Sequence, residues 1–395
     1  MQKATRQHTK EHNRNLVLKT VFEHESISRA EIARITSLTR TTVSDIVGDL
    51  MAEGLISEIG VGESIGGKSP ILLSLEEDSR YLIGLDLAHN QFRGAIVNLR
   101  GKIRELVTQP VNSKDGEAAL ALVYDILDRL IKSATVPLVG IGIGTPGLVN
   151  ISEGMVVNAV NLDWKDLPLA RLMEERYHLP VSILNDSQAA AMGEYTYGLG
   201  RPSERNLIVI NARHGIGAGI IIQGQLFHGD GGGAGEIGHV VVVPVGGLPC
   251  RCGNRGCLET VASAQALVKQ VQARRPHSME EINLDTIQRA FDSGEPDICQ
   301  AVLQTGRYLG TAISNLVGTL NIQNIVLTGD MVCFGEPWAN AIREMITTTT
   351  LSRLAQETHI EIGKLGENSI ILGASAMLAN NYSLLFNPTG IQPRR

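Results

Sequence analysis

The 395-residue chain carries 35 Lys and Arg against 41 Asp and Glu, a net charge of −6, which excludes a globally basic nucleic-acid coat. Its length exceeds what one small core needs and predicts two or three domains. The start has no apolar leader, and no run approaches the roughly 18 apolar residues of a membrane span, so a cytoplasmic protein without membrane contact is expected.

The charge is unevenly placed. Lys3, Arg6, Lys10, Arg14, Lys19, Arg29, Arg34 and Arg40 outnumber the acids of the N-terminal end, the asymmetry of a nucleic-acid-binding head. Leu16, Val17, Thr20 and Val21 form the stripe of a first helix ending near His24. Ser28 and Glu31 read as a capping box that starts a short helix with Ala30, Ala33 and Ile35 inward. After a turn, Thr39 caps a third helix whose Val43, Ile46, Val47, Leu50 and Met51 follow helical spacing up to Gly54. Two strands, Leu55 to Ile59 and Ile71 to Leu75, then make a wing with Lys68 near its tip. Residues 1–75 are thus predicted to be a winged helix-turn-helix DNA-binding domain. Arg40, Thr41, Thr42, Ser44 and Lys68 are its candidate DNA contacts, and Thr41, Thr42 and Ser44 suit phosphates as well as bases.

The body opens with three short strands linked by tight turns: Tyr81 to Leu87, Gly94 to Leu99 and Ile103 to Val107. An amphipathic helix from Glu117 to Ile131, a buried strand from Leu138 and a Gly144 to Gly147 loop follow. The strand Val181 to Leu184 hands over to an Ala-rich helix at Asn185-Asp186, where both residues suit a simple helix cap as well as a ligand site. From Asn206 the meander repeats, with a late strand from Ile325 to Leu327. Two copies of one unit leave a cleft between them, the usual place for a small ligand.

Inside the second copy, Glu236-Ile-Gly-His239 is followed by Cys250, Cys252, Cys257 and Glu259. One imidazole and three thiolates suit a closed tetrahedral Zn2+ site, and four protein ligands leave no open position, so the zinc is expected to be structural. Glu236 and Glu259 flank the ligands. The remaining Cys299 and Cys333 read as packing residues.

Together, Gly235-Glu236-Ile-Gly-His239, the cysteine block with Glu259, Asn185-Asp186 and Thr145-Pro146-Gly147 resemble the ROK family of sugar-responsive repressors and sugar kinases. The resemblance implies an α/β, actin-like (ribonuclease H-like) two-lobed body, with residues 76–198 plus 375–395 in the first lobe and 199–374 in the second. It also implies that Gly147, Asn185, Asp186, Glu236, His239 and Glu259 hold a sugar or sugar phosphate, while His239, Cys250, Cys252 and Cys257 hold zinc. In the family's kinases Asp186 would be the general base. The phosphate turns depart from the kinase pattern: Asp86 is followed by Leu87-Ala88-His89-Asn90, a Gly-Thr-Gly turn reads Arg213-His214-Gly215, and a late Gly-Gly reads Gly329-Asp330. Side chains there crowd turns that should expose backbone N–H groups to phosphate. The expected protein is a non-enzymatic repressor, a homodimer or homotetramer on operator DNA, with an ATP-dependent sugar kinase as the alternative.

Overall fold

The computed structural model describes residues 6–63, 69–200, 205–276, 281–379, 381 and 385. Helices Arg6–Phe22, Arg29–Thr36 and Arg40–Ala52 form the head, with a sheet ordered Ile27–Ser28, Ile71–Leu75, Ile56–Val61. Thr39 caps the third helix through the Thr42 N–H, and Val43, Ile46, Val47 and Leu50 are buried as the spacing predicts. Two local expectations are corrected. Ser28 accepts from the Glu31 N–H, but the second helix turns Ile32 inward and leaves Ala30 and Ile35 exposed. Ile32 joins Ile27 and Leu73 in one buried core. The Glu31 carboxylate lies towards Arg34, 4.0 Å away.

Behind the head stand two five-stranded sheets of one topology. The first is ordered Val181–Asn185, Leu138–Thr145, Tyr81–Leu87, Gln91–Asn98, Ile103–Pro110; the second Gln225–Leu226, Ile216–Ile222, Leu207–Ala212, Asn324–Thr328, His359–Ile362. Each begins as an antiparallel meander and adds two parallel strands. Parallel neighbours require long crossovers, which here are helical, Gly116–Ser133 being the first. Helices cover both faces, so every residue of Leu138–Thr145 is buried. The repeated unit read from the chain is therefore real.

Two helices lie between the sheets. Asp186–Tyr197 packs on the second sheet, Ser369–Ala379 on the first, and they pack on each other. A side chain at Gly142 or Gly373 would collide with the backbone of the facing helix, so glycine alone permits this approach. Ser369–Ala379 runs unbroken across position 374, which places the boundary drawn there inside one helix.

The head does not hang from a linker. Val17, Leu18, Val21 and Phe22 share one core with Leu82, Leu99, Val139 and Leu378 of the body. Arg100 donates to the carbonyls of Phe22 and His24, the latter at 2.8 Å, and lies over the Phe22 ring at 5.7 Å. Its replacement, Arg100→Ala, orphans two carbonyls at the head junction. It is expected to cost about 2 kcal/mol of stability, read as a lower midpoint in urea.

Candidate functional site

Residues near the carboxyl ends of the parallel strands of the two sheets meet one another, and the carboxyl ends are where open α/β sheets place their ligands. Asp86 ends one strand, Gly147 follows another and Asn185 ends a third; from the second lobe come Arg213 and Asp330.

Asn185 is the N-cap of Asp186–Tyr197: its Oδ1 accepts from the Ser187 and Gln188 N–H groups at 2.9 and 3.4 Å. Its Nδ2 donates to the Gly147 carbonyl at 3.0 Å. Both ends of the amide thus fix the loop that carries Gly147, whose φ of +88° and close approach to the Asn158 backbone require glycine. Asp186 accepts from the Ser187 N–H and hydroxyl at 2.6 and 3.1 Å. Burial pushes its carboxyl up to about 6; Arg213 opposes that shift and Asp86 adds to it.

The Gly-rich loop carries Glu236 and is tied to the helix Asp186–Tyr197 by Gln188 Nε2, which donates to the Gly232 carbonyl at 3.0 Å. Burial, then the charges of Asp186 and Glu259, push Glu236 up to about 7. Glu259, only 14% exposed, opens a short helix and accepts from the Ile216 N–H at 3.3 Å. His239 faces two ways: its Nε2 lies 4.0 Å from Glu236, and its Nδ1 lies 3.5 Å from the Cys250 sulfur.

The side chains of His239, Cys250, Cys252 and Cys257 converge so that their ligand atoms all lie within 4.8 Å of one another. The loop closes by short bridges pairing Val241 with Cys257 and Pro249 with Arg255, and Gly256 at φ +74° turns back against Val243. A tetrahedral ion bonded to sulfur at about 2.3 Å and to nitrogen at about 2.1 Å has ligand edges of about 3.5–3.8 Å. The Cys252–Cys257 sulfur separation is 3.6 Å. This cluster could hold a metal ion.

On the former phosphate side, Arg213 Nη1 donates to both Asp86 oxygens at 3.1 Å, and its Nε lies 3.5 Å from Asp330. His89 stacks on His214 with ring centroids 4.2 Å apart. Sequence reading marked these positions as departures but missed that they meet. Arg251 was missed too: it bonds Asn161 of the first lobe and lies 3.5 Å from Glu259. Its place inside the Cys-x-Cys turn was the only available signal.

In the head, Arg40, Thr41 and Ser44 are exposed at the start of the third helix, while the Thr42 hydroxyl is 2.8 Å from that of Thr39, within the cap. Lys68 lies outside the described residues.

The ROK family pattern matches residues 82–381, and a winged helix-turn-helix DNA-binding pattern matches 11–57. The chain is 33% identical to the xylose repressor of Caldicellulosiruptor bescii, over 94% of this chain and 96% of that one. It is equally 33% identical to a glucokinase of Halalkalibacterium halodurans, but over 74% of this chain and 93% of that one. A crystal structure of a ROK family transcriptional regulator, homologous to the Escherichia coli MLC protein, superposes with a TM-score of 0.84 at 28% identity, covering 97% of this chain and 99% of that one. With its duplicated sheets, its His/Cys cluster and its winged head, the chain belongs to the ROK family.

Proposed function

We propose that this protein is a transcriptional repressor whose winged head binds operator DNA and whose cleft binds a sugar that changes that binding. The observation that carries the reading is the convergence of Asp186, Glu236 and Glu259 with His239 Nε2 on one side of the cleft, while charged side chains fill the other. A sugar presents hydroxyls in several directions, and carboxylates accept hydrogen bonds from them. Gly147 and Asn185 shape the loop beneath. Zn2+ suits three thiolates and an imidazole and would serve as a structural clamp, holding Glu236, His239 and Glu259 in position. Such a site lacks an open coordination position for chemistry.

Arg40, Thr41, Thr42, Ser44 and Lys68 are the proposed operator contacts. A homodimer or homotetramer presents two heads to half-sites about one helical turn, or a multiple, apart. The sugar acts only through its different affinities for the lobe arrangements that fit and misfit that spacing. A DNA-bound role belongs in the cytoplasm; among the described residues no helix is long and apolar enough to cross a membrane.

Xylose, the sugar in the bacterial relative's name, is the first to test. In a thermal-shift screen of sugars and sugar phosphates, one class should raise the unfolding midpoint, and the same ligand should shift operator affinity in gel-shift titrations. No ligand altering operator affinity would overturn direct sensing. One observation favours the kinase reading: burial pushes the carboxyl of Asp186, which the family resemblance would make the general base, up to about 6. That reading predicts ATP-dependent sugar phosphorylation abolished by Asp186→Asn; the filled phosphate side of the cleft predicts none.

A further inference from the structure

Asp86 is a fully buried carboxylate at the end of a first-lobe strand, and among the described residues its side-chain hydrogen bonds come from Arg213 of the second lobe. Arg213 is itself only 18% exposed. Burial works against its charge, and Asp86, followed by Asp330, more than offsets that cost. A buried charge left without its partner is strongly unfavourable, because the low-dielectric interior offers it no water. Separating the lobes at this point would create two such charges unless water entered. The His89–His214 stack crosses the same seam. Burial first, then His89, pushes His214 down to about 4, so at neutral pH the stack carries no like-charge repulsion from that ring.

We propose that Arg213, with Asp86, is an interlobe latch: the second lobe inserts its own cation where a sugar kinase would admit nucleotide, and the pair fixes the closure of the cleft from within the chain. Arg213 is a positioning residue, not a sugar ligand. In a kinase the two lobes are brought together across a phosphate ligand; here an ion pair does so from within the chain. Asp186 sits beside the latch, and its charge is felt by Arg213. A ligand drawing on the Asp186 carboxylate therefore competes with Arg213 for the same negative charge. That the latch answers to sugar rests on the function proposed above; that it holds the lobes together does not.

Hydrogen–deuterium exchange and small-angle scattering of the full-length, sugar-free protein test it. Arg213→Ala should speed exchange at the strand ends around Asp86 and Ala212 on the order of a hundredfold and give a more extended particle. Arg213→Lys should restore part of both. A merely local packing role would raise exchange near residue 213 but leave the scattering profile unchanged, and that result overturns the proposal. Should Arg213→Ala fail to fold, the neutral pair Asp86→Asn with Arg213→Gln decides by the same two measurements. It neutralises both members of the latch together, although Asp330 and Asp186 lose their cationic neighbour, and should still extend the particle. If wild type binds no sugar while Arg213→Ala opens the body, the sugar reading fails and the latch stands.

Discussion

Cys257→Ser, or removal of any bound metal by a chelator, is expected to weaken sugar binding at least a hundredfold while leaving the winged head folded. Apart from its thiols and His239, the loop from Val240 to Leu258 is held chiefly by backbone hydrogen bonds, such as Leu258 N–H to the Val240 carbonyl and Gly256 N–H to the Leu248 carbonyl. Cys257 is fully buried, but Val240, Val241, Val245 and Leu248 are exposed, so few apolar contacts oppose its unfolding. In such loops the free energy of metal binding is the free energy of folding. Without the metal, His239 loses the anchor at Nδ1 that aims Nε2 towards Glu236, and Glu259 loses the bend that precedes its helix. Losing two charge-assisted hydrogen bonds to the sugar, at about 1.5–3 kcal/mol each, accounts for the factor. Calorimetric titration of sugar into metal-free and zinc-loaded protein, alongside elemental analysis, measures it. Unchanged affinity in demonstrably metal-free protein would remove the clamp from the mechanism.

Asp186→Asn should act in opposite directions on binding and on stability. Its carboxyl, pushed up to about 6 by burial, holds its proton more tightly in the folded chain than in the unfolded one, where an Asp titrates at about 3.9. Between those two values the native state binds more protons than the unfolded state. Stability from this group is therefore fully present below pH 4, falls as pH rises towards 6, and stays low above. Asparagine removes the buried charge, so the variant should be more stable than wild type at pH 7 by about 2 kcal/mol and equal to it near pH 4. Sugar affinity should fall by about tenfold to a hundredfold at pH 7, because a neutral amide replaces a charged acceptor. In wild type, affinity should drop as pH is lowered through 6; in the variant that component disappears. Glu236 titrates in the same region, so the difference between the two proteins is the quantity to follow. Equal sugar affinity in both would place Asp186 outside the binding site.

What was legible in the chain follows the range of the interactions concerned. The third helix of the head could be read because its cap, apolar stripe and terminal Gly54 lie within one short stretch. The convergence of His239 with three cysteines could be read for a similar reason: three of the four side chains lie between Cys250 and Cys257, and thiolate and imidazole chemistry narrows their use. The second helix was misphased because eight residues carry barely two turns of pattern, and Ile32 and Ile35 compete for one inward face. The core that Ile32 joins includes Leu73, some forty residues away and paired with Ile27, which nothing local announces. Likewise, Arg213 and Asp330 showed as charges where glycine would serve a phosphate, but nothing local says that Arg213 reaches Asp86. Asn185 sat between a cap and a ligand in the sequence, and the structure gives its amide to the cap and to Gly147.

The core shared between the first helix and the body also bears on how such regulators can be recombined. Domain boundaries tolerate cutting where few contacts cross them. Here Leu82, Leu99, Val139 and Leu378 close the underside of the head, and Arg100 ties off its first helix. A chimera spliced at residue 75 would bring a foreign floor to these side chains and trade one filled core for two mismatched halves. A graft that retargets the regulator to another operator must therefore either carry its matching floor along or confine the exchange to the exposed start of the third helix, where Arg40, Thr41 and Ser44 stand clear of that core.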